Sequence, residues 1–186
     1  MDNVRCSIIK IISNKDFSEK RLAVFSNKIS YKLPNDYIDF IRNHNGGYVT
    51  ESVGTYYKNE KQKFILTSMF GLGADDDLIS QFKIYKRRIP STCIPIGRDA
   101  GGNLICLNLS GSNYGYVYFW YHEEELNYKE GTITIDDLYF IADSFKKFLN
   151  SIENEETGKT EVEGYKVKKV WIDPDFLKEL EGNSDK

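Results

Sequence analysis

The sequence predicts an α+β domain in which helices pack against a curved, mostly antiparallel sheet. Three apolar runs, residues 94–96, 104–109 and 116–121, alternate with turns rich in Gly, Asn and Ser, a pattern typical of a meander of antiparallel strands. The third run, YVYFWY, has no polar alternation, so we expect it to be covered on both faces or along its tyrosines. Apolar residues at helical spacing precede and follow the meander, which predicts helices on either side of it.

The composition is that of a globular protein, with 40% hydrophobic and 14% aromatic residues in a chain of 186. No apolar run approaches the ~20 residues that span a bilayer, and the N-terminus lacks the apolar core of a signal peptide. Cys6, Cys93 and Cys106 are widely spaced in apolar contexts, which predicts buried thiols rather than a disulfide or zinc site. We therefore expect a cytoplasmic protein without a metal, another cofactor or a membrane partner.

Charge is distributed unevenly along the chain, whose net charge is −3. Residues 1–119 contain 16 Lys and Arg against 11 Asp and Glu, whereas residues 120–186 contain 9 against 17. An acidic second half argues against a nucleic-acid-binding protein, which needs a basic surface. It is compatible with binding a basic protein, although an acidic surface also serves solubility alone.

The first two elements are predicted from apolar spacing. Residues 4–12 place apolar side chains on one helical face, but the same run also fits a short strand. A helix is predicted over residues 19–30, with Asn14, Asp16 or Ser18 available as its N-cap. Its inward-facing side chains are expected to be Leu22, Val24, Phe25 and Ile29.

Residues 33–47 predict a helix of about three turns that packs by an aromatic face. Pro34 suits its first turn, and Asn45-Gly46-Gly47 ends it with residues that tolerate the left-handed region. The stripe between them consists of Tyr37, Phe40, Ile41 and His44. On this stripe, we expect His44 to be a hydrogen-bonded packing residue rather than a catalytic one.

The next segment predicts a hairpin and a helix. Residues 49–69 fit two strands around a polar tip, residues 58–63, and residues 70–73 turn the chain. A helix is predicted over residues 78–88, because its acidic start and basic end complement the helix dipole. Pro90 ends it.

Beyond the meander, residues 131–135 predict a further strand. Asp136 or Asp137 then caps a helix predicted from an apolar stripe. That stripe consists of Leu138, Ile141, Phe145, Phe148 and Leu149.

The C-terminal part of the chain predicts a domain boundary. Residues 153–163 form an acidic run that is typical of a linker. A strand and a short helix are predicted after it. We therefore expect a domain over residues 1–152 and a β-α extension over residues 153–186.

Several short motifs follow one another in a recognisable order. They are Leu33-Pro34 with Tyr37 and Phe40, Asn45-Gly46-Gly47, Phe70-Gly71, Pro95-Ile96-Gly97 with Asp99, Gly102-Asn103, Val117-Tyr118-Phe119-Trp120 with His122, and Ser144-Phe145 with Phe148-Leu149. Together, in this order, they resemble the SUKH superfamily. The resemblance covers about residues 15–152 and leaves the C-terminal extension outside it.

The resemblance carries expectations about fold and function. SUKH proteins are bacterial immunity proteins related to fungal regulators of cell-wall synthesis, and the resemblance implies a curved, mostly antiparallel sheet with packed helices. It also implies a non-enzymatic role: binding and neutralising a cognate toxin, often a nuclease, in competition between bacteria. The expected partner is therefore a toxin protein, and the motif residues are expected to be structural.

Asp99, Asn103 and His122 are the candidates for an enzymatic site. His122 lies beside Glu123, and a His–carboxylate pair can support acid–base catalysis or metal binding. A small hydrolase would need the three side chains to converge in one cleft. The structural alternative is that Asp99 and Asn103 satisfy backbone N–H groups of a turn, while His122 makes a hydrogen bond at a strand end. We favour this alternative and predict no catalytic residue.

Two acidic triplets are the candidates for partner binding. They are Asp75, Asp76 and Asp77, and Glu123, Glu124 and Glu125. Either triplet could meet Lys and Arg side chains of a nucleic-acid-cleaving toxin and speed association, and aromatic side chains would add hot spots. The aromatic candidates are Tyr116, Tyr118, Tyr121 and Tyr128. The structural alternative places the first triplet at a helix N-terminus and the second in a loop after a strand.

The sequence thus favours an immunity protein that occludes the active site of its toxin or holds the toxin inactive from beside that site. Two alternatives stay open. One is a general interaction or regulatory module, as the fungal relatives suggest. The other is the small hydrolase described above.

Overall fold

The computed structural model of the protein describes residues 10–14, 16–73, 76–127 and 132–154. All of them belong to the first of two units, residues 1–155 and 156–186, into which the chain divides. The strand and helix predicted after the acidic run lie outside the described residues. The division into a domain and an extension at residue 153 stays a prediction.

The described residues form eight strands, four α-helices and two short 3-10 helices. The strands are β1 (Ile11–Ser13), β2 (Gly47–Tyr57), β3 (Lys61–Met69), β4 (Cys93–Asp99), β5 (Leu104–Asn108), β6 (Val117–Trp120), β7 (Tyr139–Ala142) and β8 (Glu153–Asn154). The helices are α1 (Glu19–Lys28), α2 (Asn35–His44), α3 (Leu78–Tyr85) and α4 (Phe145–Ser151), and the 3-10 helices are His122–Asn127 and Ile135–Asp137.

The strands form one antiparallel sheet in the order β1 to β7, with β8 paired to β2. β7 also pairs with β2, where Tyr57 lies opposite Phe140. The sheet therefore curls until β2 to β7 close on themselves like a barrel. Since α2 packs against α4 and α3 against β4, the predicted α+β class is confirmed.

The predicted meander is confirmed as β4, β5 and β6, with Ile94 opposite Leu107 and Ile105 opposite Phe119. All four residues of β6 are buried, as its lack of polar alternation indicates. Inside the curved sheet, the Phe119 ring stacks on Tyr56 of β2, with centroids 4.2 Å apart. The meander is thus part of the core on both of its faces.

The end of α2 is interlocked with a second motif of the family pattern. Asn45 adopts the left-handed conformation with φ 51°, as the sequence predicts. A Cβ on Gly46 would lie 2.5 Å from the carbonyl oxygen of Met69, and a Cβ on Gly71 would lie 1.9 Å from that of Asn45. Two glycines are therefore required for these loops to approach each other so closely.

The prediction for His44 is right in part: it is a hydrogen-bonded packing residue, but it does not lie on the buried side of α2. Tyr37, Phe40 and Ile41 are buried, but His44 is exposed on the last turn. Its Nδ1 lies 2.9 Å from the hydroxyl oxygen of Ser13, and its ring stacks on Phe40 at 5.3 Å between centroids. His44 is the last residue of α2, and at this end of the helix the stripe reaches the surface.

The N-terminal elements agree in part with the predictions. β1 favours the strand alternative for the end of the first apolar run, whose residues 4–9 lie outside the described residues. α1 is confirmed, but Val24 is 52% exposed because it lies two positions from Leu22 and thus on the outer side of the helix. Ser18 is the N-cap residue, yet its side chain makes no capping hydrogen bond.

The prediction for residues 132–151, which follow the 3-10 helix His122–Asn127, is wrong. Residues 132–134 form no strand, and the helix predicted from residue 138 is instead β7 followed by α4. β7 is a strand because it pairs with both β6 and β2, and a four-residue apolar run does not distinguish the two periods. Ser144, whose hydroxyl accepts a hydrogen bond from the Lys147 N–H at 3.2 Å, then caps α4.

The cysteine prediction is confirmed for the two cysteines that the structure describes. Cys93 and Cys106 are free and buried, and Cys6 lies outside the described residues. Burial raises the pKa of the Cys93 thiol to about 12 and also raises the pKa of Cys106. Within the described ranges, no helix has the length and apolarity that a membrane crossing requires.

Candidate functional site

The second acidic triplet lies on the 3-10 helix His122–Asn127, which we call the acidic helix. It begins two residues after the end of β6 and lies beside the turn between β2 and β3. Glu124 accepts a hydrogen bond of 2.5 Å from the Lys58 ammonium group, which comes from the tip of the β2–β3 hairpin. Its other oxygen accepts a hydrogen bond of 2.5 Å from the Tyr139 hydroxyl of β7. Glu124 therefore joins three separate parts of the chain.

The Lys58 ammonium group also lies over two aromatic rings. Its Nζ is 5.5 Å from the ring centroid of Tyr121 and 5.2 Å from that of Tyr139, within the range of cation–π attraction. We call Tyr121, Tyr139 and Glu124 together the Lys58 cage. The cage is half open, because the Lys58 and Glu124 side chains are 39% and 23% exposed.

The hydrogen bonds of the Lys58 cage favour the charged forms of Lys58 and Glu124. Partial burial alone would raise the pKa of Glu124, but the hydrogen bonds from Lys58 and Tyr139 outweigh it and lower this pKa. The hydrogen bond to Glu124 raises the pKa of Lys58. Burial, and then the hydrogen bond to Glu124, raise the pKa of the Tyr139 hydroxyl. Lys58 and Glu124 thus both stay ionised at neutral pH.

Glu125 pairs with a second basic side chain, Arg88. Its carboxylate accepts two hydrogen bonds from the Arg88 guanidinium, at 2.6 and 2.5 Å, in the bidentate geometry that is strongest for this pair. Arg88 also lies over the rings of Tyr85 and Trp120, at 4.9 and 5.4 Å. The Arg88 hydrogen bonds lower the pKa of Glu125. We call this arrangement the Arg88 clamp.

Two glutamates of the predicted triplet are therefore paired within the chain, and the third is the most open. Glu123 is exposed and accepts a short hydrogen bond from the Tyr121 hydroxyl. That hydrogen bond is the main reason why the pKa of Tyr121 is raised. A partner that approaches the acidic helix meets Glu123 first.

The first acidic triplet lies elsewhere, around the N-terminus of α3. Asp77 is the N-cap of α3: it accepts hydrogen bonds from the N–H groups of Ser80 at 3.0 Å and of Gly73 at 2.9 Å. Asp76 accepts two hydrogen bonds from Arg98, at 2.7 and 2.9 Å. Asp75 lies outside the described residues. The helix N-terminus that the structural alternative predicted is present, and both described carboxylates have partners inside the chain.

The predicted tyrosines differ in how far they reach the surface. Tyr116 and Tyr121 are half-buried, Tyr118 is 6% exposed, and Tyr128 lies outside the described residues. Tyr118 is thus too buried for the contact role predicted for it, and its ring lies edge-to-face with that of Phe140, with centroids 6.1 Å apart.

The exposed aromatic side chains include two neighbours that the sequence did not single out, Tyr57 and Phe140. Tyr57 is 53% exposed and Phe140 39% exposed, and they face each other where β2 meets β7. The Phe140 ring also lies 5.9 Å from that of Tyr116. We call Tyr57, Phe140 and Tyr116 the aromatic patch. Sequence alone gave no signal for it, because the pairing of β2 with β7 creates it.

Asp99, Asn103 and His122 do come together, as the hydrolase hypothesis requires. Asp99 accepts hydrogen bonds from the side-chain amide and the backbone N–H of Asn103, at 2.9 and 2.8 Å. The Asn103 amide oxygen accepts hydrogen bonds from the backbone N–H of His122 at 3.1 Å and from its Nδ1 at 2.7 Å. Since that oxygen can only accept, Nδ1 carries the proton.

This chain of hydrogen bonds also fits the structural alternative. Asp99 and Asn103 are 8% and 6% exposed, and each satisfies a backbone N–H group, which fixes the β4–β5 turn to the start of the acidic helix. Among the described residues, no group of three or more His, Cys, Asp or Glu is placed to hold a metal ion.

Comparison with known proteins identifies the family. The chain belongs to the SMI1/KNR4 family (SUKH-1), whose sequence model matches residues 16–151. This span contains α1 to α4 and all six strands of the closed part of the sheet. The resemblance derived from the motif order is thereby confirmed.

The chain is also similar to YokK, an SPβ prophage-derived uncharacterized protein of Bacillus subtilis (strain 168). The two sequences are 28% identical over an alignment of 155 residues, and the match covers 74% of this chain and 76% of YokK.

Proposed function

We propose that this protein is an immunity protein that binds a cognate bacterial toxin and neutralises it by covering its active site or a surface beside it. The observation that carries the proposal is membership of the SMI1/KNR4 family (SUKH-1) across residues 16–151. The motif order implies the same role. The partner that fits best is a nuclease domain, because an enzyme that cleaves nucleic acid presents basic side chains to its substrate.

The surface around the acidic helix supports this choice of partner. The three carboxylates of the acidic helix outnumber the two basic side chains paired with them, Lys58 and Arg88, and the remaining one, Glu123, is exposed. Carboxylates at the rim of an interface attract a basic partner and speed its association.

The aromatic patch supplies exposed apolar area on the outer face of the same sheet. Tyr57 and Phe140 lie opposite each other on β2 and β7. Successive residues of a strand point to opposite faces, so Tyr57 and Phe140 lie on the outer face of the sheet, whereas Tyr139 packs on Tyr56 inside it. Fully burying a large apolar side chain contributes about 1.5–3 kcal/mol. An aromatic centre with a charged rim is the arrangement in which interface hot spots are found.

The proposal is tested by co-expressing the chain with the toxin domain of a neighbouring gene in bacteria. We expect the two proteins to co-purify and the cells to survive expression of a toxin that kills them alone. A catalytically inactive toxin variant serves as the binding control, since it separates binding from protection. The immunity role is contradicted if, for every candidate toxin, the two proteins do not co-purify and the cells do not survive.

The contact surface is tested with a matched pair of variants. Phe140→Ala removes the centre of the aromatic patch, and Ile84→Ala removes an equally apolar side chain, 57% exposed, from α3. We expect Phe140→Ala to weaken toxin binding at least about tenfold, or about 1.4 kcal/mol, and Ile84→Ala to leave it unchanged. Equal affinities for both variants would place the interface elsewhere. Urea unfolding of both variants controls for stability.

A general interaction module is the second candidate, favoured by the relationship to fungal regulators that the motif order implies. It would bind several host proteins rather than one toxin. Affinity purification from the native bacterium distinguishes the two, because an immunity protein should recover a single dominant toxin partner. Recovery of several unrelated proteins and no toxin would favour the module.

A further inference from the structure

The Lys58 cage has the chemistry of a site that recognises a primary ammonium group. Two tyrosine rings face the same Nζ, at 5.5 and 5.2 Å, and one carboxylate oxygen lies 2.5 Å from it. Aromatic rings and a carboxylate around an amine are the elements by which proteins recognise lysine side chains and quaternary ammonium groups. Here a lysine of the same chain occupies the site.

The walls of the cage are held in place independently of Lys58. Tyr139 packs against Tyr56 at 5.5 Å, Tyr56 stacks on Phe119 at 4.2 Å, and Phe119 stacks with Tyr121 at 6.5 Å between centroids. These four rings form a continuous row that runs through the inside of the curved sheet at Phe119. Because Lys58 is not part of the row, its side chain can leave without removing the support of either wall.

The position of Lys58 also allows exchange. It lies in the turn between β2 and β3, where its backbone N–H donates to the Glu60 carbonyl at 3.2 Å, and its side chain is 39% exposed. Once the side chain swings out, Glu124 loses its cation but keeps the hydrogen bond from Tyr139. The empty cage would then carry the unpaired carboxylate of Glu124, with Glu123 hydrogen-bonded to the hydroxyl of its Tyr121 wall, and would select a cation.

We propose that the Lys58 cage is a docking site for a lysine side chain of a partner protein, and that Lys58 occupies it until that partner displaces it. The inference rests on the proposed function insofar as the partner is the cognate toxin, whose basic surface would supply the lysine. The ammonium-binding property itself does not depend on that role.

The first experiment uses Nα-acetyl-lysine N-methylamide as the probe. It is titrated into the full-length protein while the ring resonances of Tyr121 and Tyr139 are followed by NMR. We expect Lys58→Ala to saturate at a concentration at least about tenfold below that of the wild type, since an intramolecular competitor acts at an effective concentration of the order of millimolar or above. Adding Glu124→Gln to Lys58→Ala should abolish this gain.

Lys61→Ala is the matched control, because it removes the same charge from the same hairpin and leaves the cage intact. It should titrate like the wild type. Lys58→Ser is measured in parallel in case alanine lets the hairpin tip collapse. In the wild type, high concentrations of the probe should move the ε-methylene resonances of Lys58 away from their ring-shifted position, and the absence of that shift would contradict displacement.

The result that overturns the inference is a folded Lys58→Ala or Lys58→Ser protein that binds the probe no better than Lys61→Ala does. Saturation that survives Glu124→Gln would overturn it as well.

The second experiment measures the affinity of the same variants for the cognate toxin. Lys58→Ala should bind several-fold more tightly than Lys61→Ala, because only the former empties the cage. Equal affinities would show that the partner does not use the cage and would overturn the docking site. If no variant binds a toxin, the proposed immunity role fails, whereas the titration with the lysine probe still decides whether the cage binds ammonium groups.

Discussion

Replacing Asn45 with alanine should destabilise the protein more than most single substitutions do. Asn45 is 1% exposed and follows the last residue of α2 with φ 51°. Its amide oxygen accepts a hydrogen bond from the Leu72 N–H at 2.8 Å. Its amide nitrogen donates to the carbonyl oxygens of Leu72 at 3.2 Å and of Asp16 at 3.3 Å. One side chain therefore ties α2 to two other loops.

The magnitude follows from these contacts. Leaving the buried Leu72 N–H without an acceptor costs about 1–3 kcal/mol, and each neutral hydrogen bond contributes about 0.5–1.5 kcal/mol. Alanine in the left-handed region adds about 1 kcal/mol. We expect Asn45→Ala to lower the free energy of unfolding by about 3–5 kcal/mol, a large part of the about 5–15 kcal/mol typical of a domain.

Urea unfolding followed by circular dichroism measures this effect as a change in midpoint at constant m-value. Asn43→Ala is the matched control, since Asn43 is exposed on the same helix, and it should change the free energy by no more than about 0.5 kcal/mol. Asn45→Gly should cost less than Asn45→Ala, because glycine accepts the positive φ. The reasoning is refuted if Asn45→Ala behaves like Asn43→Ala, or if the glycine and alanine variants are equally stable.

Three further predictions concern single groups. Arg88 lowers the pKa of Glu125 in the folded protein. The stability that this ion pair contributes is therefore present above the unfolded pKa and is lost as the pH falls through the folded pKa. Glu125→Gln should cost about 1 kcal/mol in urea unfolding at pH 7 and progressively less below about pH 4.3. His122→Ala should lose about 1 kcal/mol of stability and keep full protection against the toxin, whereas loss of protection by a folded variant would revive the hydrolase hypothesis. Because burial raises the pKa of Cys93 to about 12, its thiol should react with a disulfide reagent only after unfolding, and rapid labelling of the native protein, located by mass spectrometry, would contradict this.

The correctly predicted parts of the fold are those whose structure is determined by residues close together in the sequence. The meander follows from turns of Gly, Asn and Ser between apolar runs, and α2 follows from one helical stripe that ends at Asn45. In both cases, residues close in sequence specify the backbone, so single-sequence reasoning suffices.

The parts that were missed depend on distant pairing. β7 has four residues, and Ile141 of β7 stands at helical spacing from Phe145 and Phe148 of α4, so periodicity assigns both segments to one helix. What makes β7 a strand is its place between β6 and β2, at Tyr118 and Tyr57. That position could not be predicted before the closure of the sheet was known.

The same argument applies to the candidate site. The charge run at residues 123–125 was visible in the sequence, but its partners were not. Lys58 lies 66 positions before Glu124, and Arg88 lies 37 positions before Glu125. The sequence therefore predicted which residues carry charge at this surface, and only the fold shows which of those charges are already paired.

This internal pairing changes what charge complementarity can contribute to recognition. A partner lysine that enters the Lys58 cage replaces one ammonium group with another, so the carboxylate of Glu124 is paired before and after binding, and the net gain from that contact is small. A partner without a suitably placed cation would bury Glu124 and Lys58 together or leave one of them unpaired, which costs several kcal/mol. The cage would therefore discriminate among partners more than it would strengthen binding, and the affinity would have to come from apolar contacts such as the aromatic patch.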